Sequence, residues 1–320
     1  MSKVAVIGAG AWGTALALQA LRAGNDVELV ARDAFSASVL KATRANHRLP
    51  GVVLPETLSM RHHLPERADL MLWVVPTVHL RSSLLSLRSK GEKIVICAKG
   101  IEPETYLLPL EVASDVALDH TFGILTGPNF AHEVAAGLPA AAVVASVDAG
   151  FREDVQEILG THNFRLYGND DPIGAQLGGA AKNVIAIAAG AVIGAGLGEN
   201  ARAALVTRGL SELCRLVVAF GGQPETVMGL SGLGDLMLTC TGRASRNFSL
   251  GYELGCGNQL SDILAKRFGV TEGVSTAAAL IERAGNIELP ICKAVADLLA
   301  GKTTVGQAML ALLSRPQRDE

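Results

Sequence analysis

The segment Val4-Ala5-Val6-Ile7-Gly8-Ala9-Gly10-Ala11-Trp12-Gly13 constrains the fold more than any other. A short apolar run leads into the spacing G-x-G-x-x-G, and the stretch after it, WGTALALQALRAG, has helical character. Three glycines at this spacing, directly behind a strand and opening a helix, are what a dinucleotide-binding βαβ unit requires. Gly8 allows the tight turn, Gly10 lets a pyrophosphate approach the backbone, and Gly13 lets the helix pack on the strand. The helix start then offers unpaired N–H groups to phosphate. A glycine turn without a ligand is the competing reading, and it leaves this strand-to-helix context unexplained.

Further apolar, β-branched runs follow at 27–31, 70–75, 93–100, 122–127 and 141–146, with a weaker one at 164–167. Helical stretches separate them. Strands alternating with helices predict βαβ units and a mostly parallel, doubly wound sheet. The pattern changes near residue 170. Asp171 suits an N-cap and Pro172 a first helical turn. Helical stretches then run over 201–220, the 230s, 259–268, 274–285 and 291–300. The expected architecture is an α/β domain of Rossmann type over 1–170, followed by an all-helical domain over 171–320. Gly190, Gly194 and Gly198 lie four apart and are expected on one helix face. That spacing lets another helix approach closely, and a homodimer contact is its second use.

Composition narrows the partners. The 320 residues are 49% hydrophobic and 18% charged, with a formal net charge of −3. Such a chain can bury a large core, and nothing in its charge points to nucleic acid. The five cysteines form no C-x-x-C pair and are odd in number, which fits reduced thiols. His62-His63 has no cysteine or carboxylate beside it at metal spacing, so no metal is expected. The N-terminus enters a strand without a basic leader, so a cytoplasmic location is expected. The longest apolar run, 184–198, is short and rich in Gly and Ala. It reads as a core helix, and no integral membrane segment is expected.

Several polar residues stand where ligands bind in open α/β sheets, past the carboxyl ends of strands. Arg32 follows the second strand, where an acid would select NAD and an arginine suits the extra phosphate of NADP. NADPH is therefore the expected cofactor and NADH the alternative, with Asp33 then reading the ribose. Lys99 ends the strand in CAKGIE, and TGPNFAHEV leaves its strand through a Gly-Pro turn. Lys182 and Asn183 interrupt GGAAKNVIAIAAG, about three turns into the helix begun at Asp171. A buried lysine is costly unless paired, and one facing a cleft is a candidate general acid/base. Snorkelling to the surface fits the same residues equally well. Asp235 and Thr239 are four apart and share a helix face, with Arg243, Arg246 and Asn247 expected in the loop beyond. Arg246 suits a substrate phosphate, or else a helix C-terminus.

GAGAWGTALA, CAKGIE, GPNFAHEV, KNVIAIAAG, TRGLSE, GLSGLGDLMLTC, SRN, TEG and LPI occur in this order over residues 8–291. Together they resemble the bacterial-type NAD(P)-dependent glycerol-3-phosphate dehydrogenases. The resemblance implies an N-terminal Rossmann domain and a helical C-terminal domain like that of 6-phosphogluconate dehydrogenase. It implies interconversion of dihydroxyacetone phosphate and sn-glycerol 3-phosphate, supplying glycerophospholipid synthesis. Lys182 is then the proton donor and acceptor at the C2 oxygen, with Asn183, Asp235 and Thr239 completing its network. Lys99 helps hold and polarise the substrate, Gly127 and Asn129 touch it, and Ser245, Arg246 and Asn247 hold it. Ala11, Trp12, Arg32, Ala131, Val270 and Glu272 line the cofactor site, which Arg246 also reaches. One departure is Arg48 before Leu-Pro, where many members carry an aromatic residue. A related 2-hydroxyacid or 6-phosphogluconate-type reductase would share the Lys-Asn pair but need carboxylate specificity. A silent NADPH sensor is expected to lack Lys99, Lys182 or Asp235, and all three are present.

Overall fold

The structure, a computed structural model, describes residues 1–87, 91–267 and 270–316. The chain forms two compact units, Met1–Lys99 with Leu108–Gln176, and Gly100–Leu107 with Leu177–Glu320.

The first unit carries β1 (Lys3–Ile7), α1 (Ala11–Arg22), β2 (Asp26–Val30), α2 (Ala34–Thr43), β3 (Ser59–Arg61), β4 (Leu70–Trp73) and α3 (Leu80–Leu84). It continues with β5 (Lys93–Ile96), α4 (Pro109–Val116), β6 (Thr121–Thr126), α5 (Ala131–Ala135), β7 (Ala140–Ala145), α6 (Ala149–Leu159) and β8 (Phe164–Asn169). One eight-stranded sheet has the order β3-β2-β1-β4-β5-β6-β7-β8. Every neighbouring pair is parallel except β6 with β7. Parallel strands covered on both faces need continuous apolar sequence, and Val4, Ala5, Val6 and Leu70 to Trp73 are fully buried. From β1 the chain winds outward to β3 and then returns to β4 on the other side. That reversal creates a crevice at the carboxyl end of β1, the place where open α/β sheets bind ligands. The short β3 escapes sequence reading because SMR has neither length nor a clean alternation.

The helical unit consists of the greater part of α7 (Pro172–Gly194), then α8 (Glu199–Ala219), α9 (Pro224–Met228), α10 (Asp235–Cys240) and α11 (Arg246–Gly255). It ends with α12 (Leu260–Ala265), α13 (Glu272–Ala284), α14 (Pro290–Leu299) and α15 (Val305–Leu313). The expected helix over 259–268 is thus shorter, and residue 268 lies outside the described residues. Helix α7 is its core: Leu177, Ala180, Val184, Ile185 and Ile187 are fully buried. It is long and apolar enough to cross a membrane, but 89% of that window is buried inside the protein.

Helices α7 and α11 pack backbone to backbone. A Cβ on Gly190 or Gly194 would lie 2.0 Å from the carbonyl oxygens of Phe248 and Tyr252. In return, a Cβ on Gly251 would lie 1.9 Å from the Ile187 oxygen. The expected close approach of a second helix is therefore met within the chain. Gly198 does not belong to that face. The chain turns after Gly194, and Gly198 precedes α8 at φ +88°, a conformation that glycine adopts at low cost.

A second long-range brace joins α8 to α14. Buried Glu212 accepts hydrogen bonds from Ile291 N at 2.6 Å and Cys292 N at 3.2 Å. A carboxylate from one helix thus caps the first turn of another, where the N–H groups have no partner within their own helix.

Candidate active site

The crevice at β1 is built from the glycine-rich turn. Gly8 sits at φ +113°, and a Cβ there would meet the Val74 oxygen at 2.4 Å. A Cβ on Gly13 would meet the Gly8 oxygen at 1.8 Å, so the third glycine lets α1 start against the strand end. Gly10 has open space instead, with nothing within 4 Å of an added Cβ. The first turn of α1 has no side-chain cap. Ala11 and Trp12 lie in that turn, and the buried Trp12 indole nitrogen has no partner. Open space over the second glycine and an uncapped helix start fit the pyrophosphate of a dinucleotide.

Asn46, which sequence reading missed, braces this turn. Its Nδ2 donates to the Ala9 oxygen at 3.2 Å and to Thr14 Oγ1 at 2.7 Å. It lies beside Arg48 in the departing loop, and Arg48 N donates to Asn46 Oδ1 at 3.0 Å. Only the spatial contact with Ala9 reveals its role.

Arg32 follows β2 with its side chain 86% exposed. Asp33 is otherwise occupied. It caps α2 by accepting from Ser36 N at 2.7 Å, and Arg32 Nε lies 3.3 Å from its other oxygen. The bond from Ser36 holds the Asp33 carboxyl below its ordinary range.

At the far ends of β5 and β6, Lys99 Nζ donates to the Gly127 oxygen at 2.9 Å. Gly127 has φ +123°, and a Cβ there would press on Ala142 Cα at 3.1 Å. Asn129 donates to the Ala141 oxygen at 3.1 Å, while its own Oδ1 is buried without a partner. Ala131 opens α5 just beyond. Thr77 after β4 and Thr126 at the end of β6 also carry buried, unpartnered hydroxyls. Nothing in their sequence context singled them out.

The helical unit holds the other cluster. Lys182 is only 6% exposed. Its Nζ donates to Asp235 Oδ1 at 2.5 Å and to Thr239 Oγ1 at 3.0 Å. Thr239 Oγ1 in turn donates to the Asp235 backbone oxygen at 2.6 Å. Snorkelling is therefore excluded, since the lysine ends on a buried carboxylate. The approach depends on Gly178, one turn before Lys182 on the same face. A Cβ there would meet the Ser231 oxygen at 2.7 Å. Ser231 belongs to the π-helical turn Leu230–Gly234 that leads into α10. Such turns are uncommon and often sit at functional sites. Cys240, next to Thr239, takes no acid/base part near neutrality, because burial pushes its thiol up to about 12.

Asn183, Asn247 and α13 form a chain beside that cluster. Asn247 Nδ2 donates to Asn183 Oδ1 at 2.8 Å, and Gly273 N donates to Asn247 Oδ1 at 3.1 Å. Arg246 and Asn247 were expected in a loop, but Ser245 caps a helix and both lie in the first turn of α11. Ser245 Oγ accepts from Phe248 N at 3.3 Å and so caps a helix where the Gly/Ser content implies a loop. Arg246 is exposed, and its carbonyl is held by Arg267 Nη1 at 2.8 Å, a contact the sequence does not announce. Val270 and Glu272 stand half-buried at the start of α13.

Both parts of the chain match known proteins. Residues 3–152 match the family model of the NAD-dependent glycerol-3-phosphate dehydrogenase N-terminus, and residues 171–310 that of its C-terminus. The chain belongs to the NAD-dependent glycerol-3-phosphate dehydrogenase family. It is 54% identical to glycerol-3-phosphate dehydrogenase [NAD(P)+] of Acidiphilium cryptum, covering 99% of this chain and 98% of that one. The Gluconobacter oxydans protein of the same name is 48% identical over the same shares. The crystal structure of glycerol-3-phosphate dehydrogenase from Coxiella burnetii matches with a TM-score of 0.94 at 38% identity, covering 98% of this chain and 99% of that chain. The protein is thus an oxidoreductase of the glycerol-3-phosphate dehydrogenase family that uses a nicotinamide cofactor, with a Rossmann-type sheet unit and a helical unit.

Proposed function

We propose that the protein reduces dihydroxyacetone phosphate to sn-glycerol 3-phosphate, with Lys182 as the group that moves the proton. The observation that carries this reading is the burial of Lys182 with its Nζ bound to Asp235 and Thr239. Reduction of the ketone adds a hydride to C2 and a proton to its oxygen. A bound reduced nicotinamide supplies the hydride. Lys182 Nζ gives its proton to the C2 oxygen, and takes it back when the alcohol is oxidised. Asp235 and Thr239 hold that nitrogen in one place. Positioned acid/base catalysis of this kind is worth about 10²–10⁴-fold.

The proposed cofactor set is Gly8, Gly10, Ala11, Trp12, Gly13, Arg32 and Lys99, with Ala131, Arg246, Val270 and Glu272. NADPH is the preferred form in this reading, because Asp33 is committed to capping α2 while the Arg32 guanidinium lies in solvent. Lys99, Gly127 and Asn129 are the proposed substrate contacts of the first unit. Asp235, Ser245, Arg246 and Asn247 are those of the second. The alcohol product is a phosphorylated glycerol of the kind glycerophospholipid synthesis consumes.

Loss of nicotinamide absorbance with dihydroxyacetone phosphate tests the reading, run with NADPH and NADH side by side. Faster oxidation of NADPH is expected. Oxidation of NADH alone removes the Arg32 argument, and oxidation of neither removes the substrate assignment.

A further inference from the structure

Asn247 is 8% exposed, and both ends of its amide are engaged within the protein. The nitrogen reaches back to Asn183, the neighbour of Lys182 on α7, and the oxygen accepts the Gly273 N–H in the first turn of α13. Thr271, the residue before that turn, caps nothing with its own side chain. Asn247 therefore acts as a borrowed cap for α13 from the first turn of α11. Gly273 is what makes the arrangement possible. An added Cβ would lie 2.6 Å from Asn247 Oδ1, 2.8 Å from Ile187 Cδ1 and 2.9 Å from the backbone oxygen of Asn183. The last of these is main chain, so it yields only if α7 and α13 move apart.

We infer that Gly273 and Asn247 form one positioning device, which ties the first turn of α13 to Asn183 and so fixes the place of Lys182. Neither residue is required to touch the reacting atoms for this role. Gly273 has no side chain with which to do so, and the Asn247 amide already serves Asn183 and α13. The device explains the T-E-G run at 271–273, which carries a glycine beside the proposed cofactor residue Glu272. It also explains why an asparagine follows Arg246. The inference rests on the reading of Lys182 as proton donor.

The test is a double-mutant cycle with Gly273→Ala and Asn247→Ala, in which kcat and KM for dihydroxyacetone phosphate are measured separately. Displacing a catalytic group by a fraction of an ångström costs about tenfold in rate, on the scale of 10²-fold for a full ångström. Gly273→Ala is expected to lower kcat about tenfold with KM changed less than about threefold. Asn247→Ala is expected to lower kcat by a similar factor and, because Asn247 is also a proposed substrate contact, to raise KM besides. The double variant is expected to be no worse than the poorer single one, because the two changes break one device. Thermal melting by circular dichroism reports the folded fraction. If Gly273→Ala does not fold, Asn247→Asp takes its place. It keeps the acceptor for Gly273 N, removes the donor to Asn183, and is expected to lower kcat similarly. Unchanged kcat in folded Gly273→Ala, or in Asn247→Asp where it replaces that variant, overturns the inference. So do losses that multiply, or an Asn247→Ala effect confined to KM. An inactive wild type instead overturns the proposed reaction, and the inference with it.

Discussion

Lys182 sits on a helix with almost no polar face because α10 brings a carboxylate and a hydroxyl to it. Removing either partner of a buried pair leaves the other uncompensated, which is costly. Glu212 shows the same economy at a structural site. Burial raises its carboxyl above the ordinary range, against the opposing effect of the Ile291 and Cys292 N–H groups. A raised folded value means that this group contributes its full stability below the unfolded value of about 4.3, and loses it as pH rises through the folded value. Glu212→Gln keeps one acceptor oxygen, enough for one of the two N–H groups, and removes the ionisation. The unfolding free energy of the wild type minus that of Glu212→Gln is therefore expected to fall as pH rises from about 4 towards 7, read by urea titration. A flat difference contradicts the assignment. Arg32 allows a sharper test of cofactor choice. A hydrogen bond to a charged group is worth about 1.5–3 kcal/mol, so Arg32→Ala is expected to raise KM for NADPH about 10- to 100-fold and leave KM for NADH nearly unchanged. Equal effects on both cofactors would mean that Arg32 does not read the extra phosphate.

At the scale of elements, the sequence exposes what depends on local backbone chemistry and hides what depends on distant contacts. The glycine turn after β1 is legible because each glycine answers a steric demand made within a few residues. The apolar strands are legible because both sheet faces are covered. Asp235 and Thr239 could be paired by their spacing, but their meeting with Lys182 spans 53 residues. It depends on Gly178 admitting the π-helical turn, which no periodicity signals. The helical start at Arg246 is hidden because Gly242 and Ser245 before α11 read as loop, while Ser245 is in fact its cap. The spacing of Gly190 and Gly194 marks a close-approach face, and the helix they admit is α11 of the same chain. That packing leaves no space for a methyl group. Gly190→Ala is expected to destabilise the fold by about 1–3 kcal/mol, as overpacking does, measured by chemical denaturation. A loss below about 0.5 kcal/mol, the level of a surface change, would show that the two helices separate easily.

For the whole molecule, the proposed roles divide between the units. The sheet unit offers the glycine turn, Arg32 and Lys99, and the helical unit offers Lys182 with its partners. Cofactor binding and proton transfer should then separate by mutation. Lys182→Ala tests this most directly, with NADPH affinity followed by fluorescence and turnover of dihydroxyacetone phosphate followed by absorbance on the same folded sample. Turnover is expected to fall about 10²–10⁴-fold, the usual worth of a placed acid/base, with NADPH affinity close to that of the wild type. Near-normal turnover by folded Lys182→Ala protein would contradict the central claim.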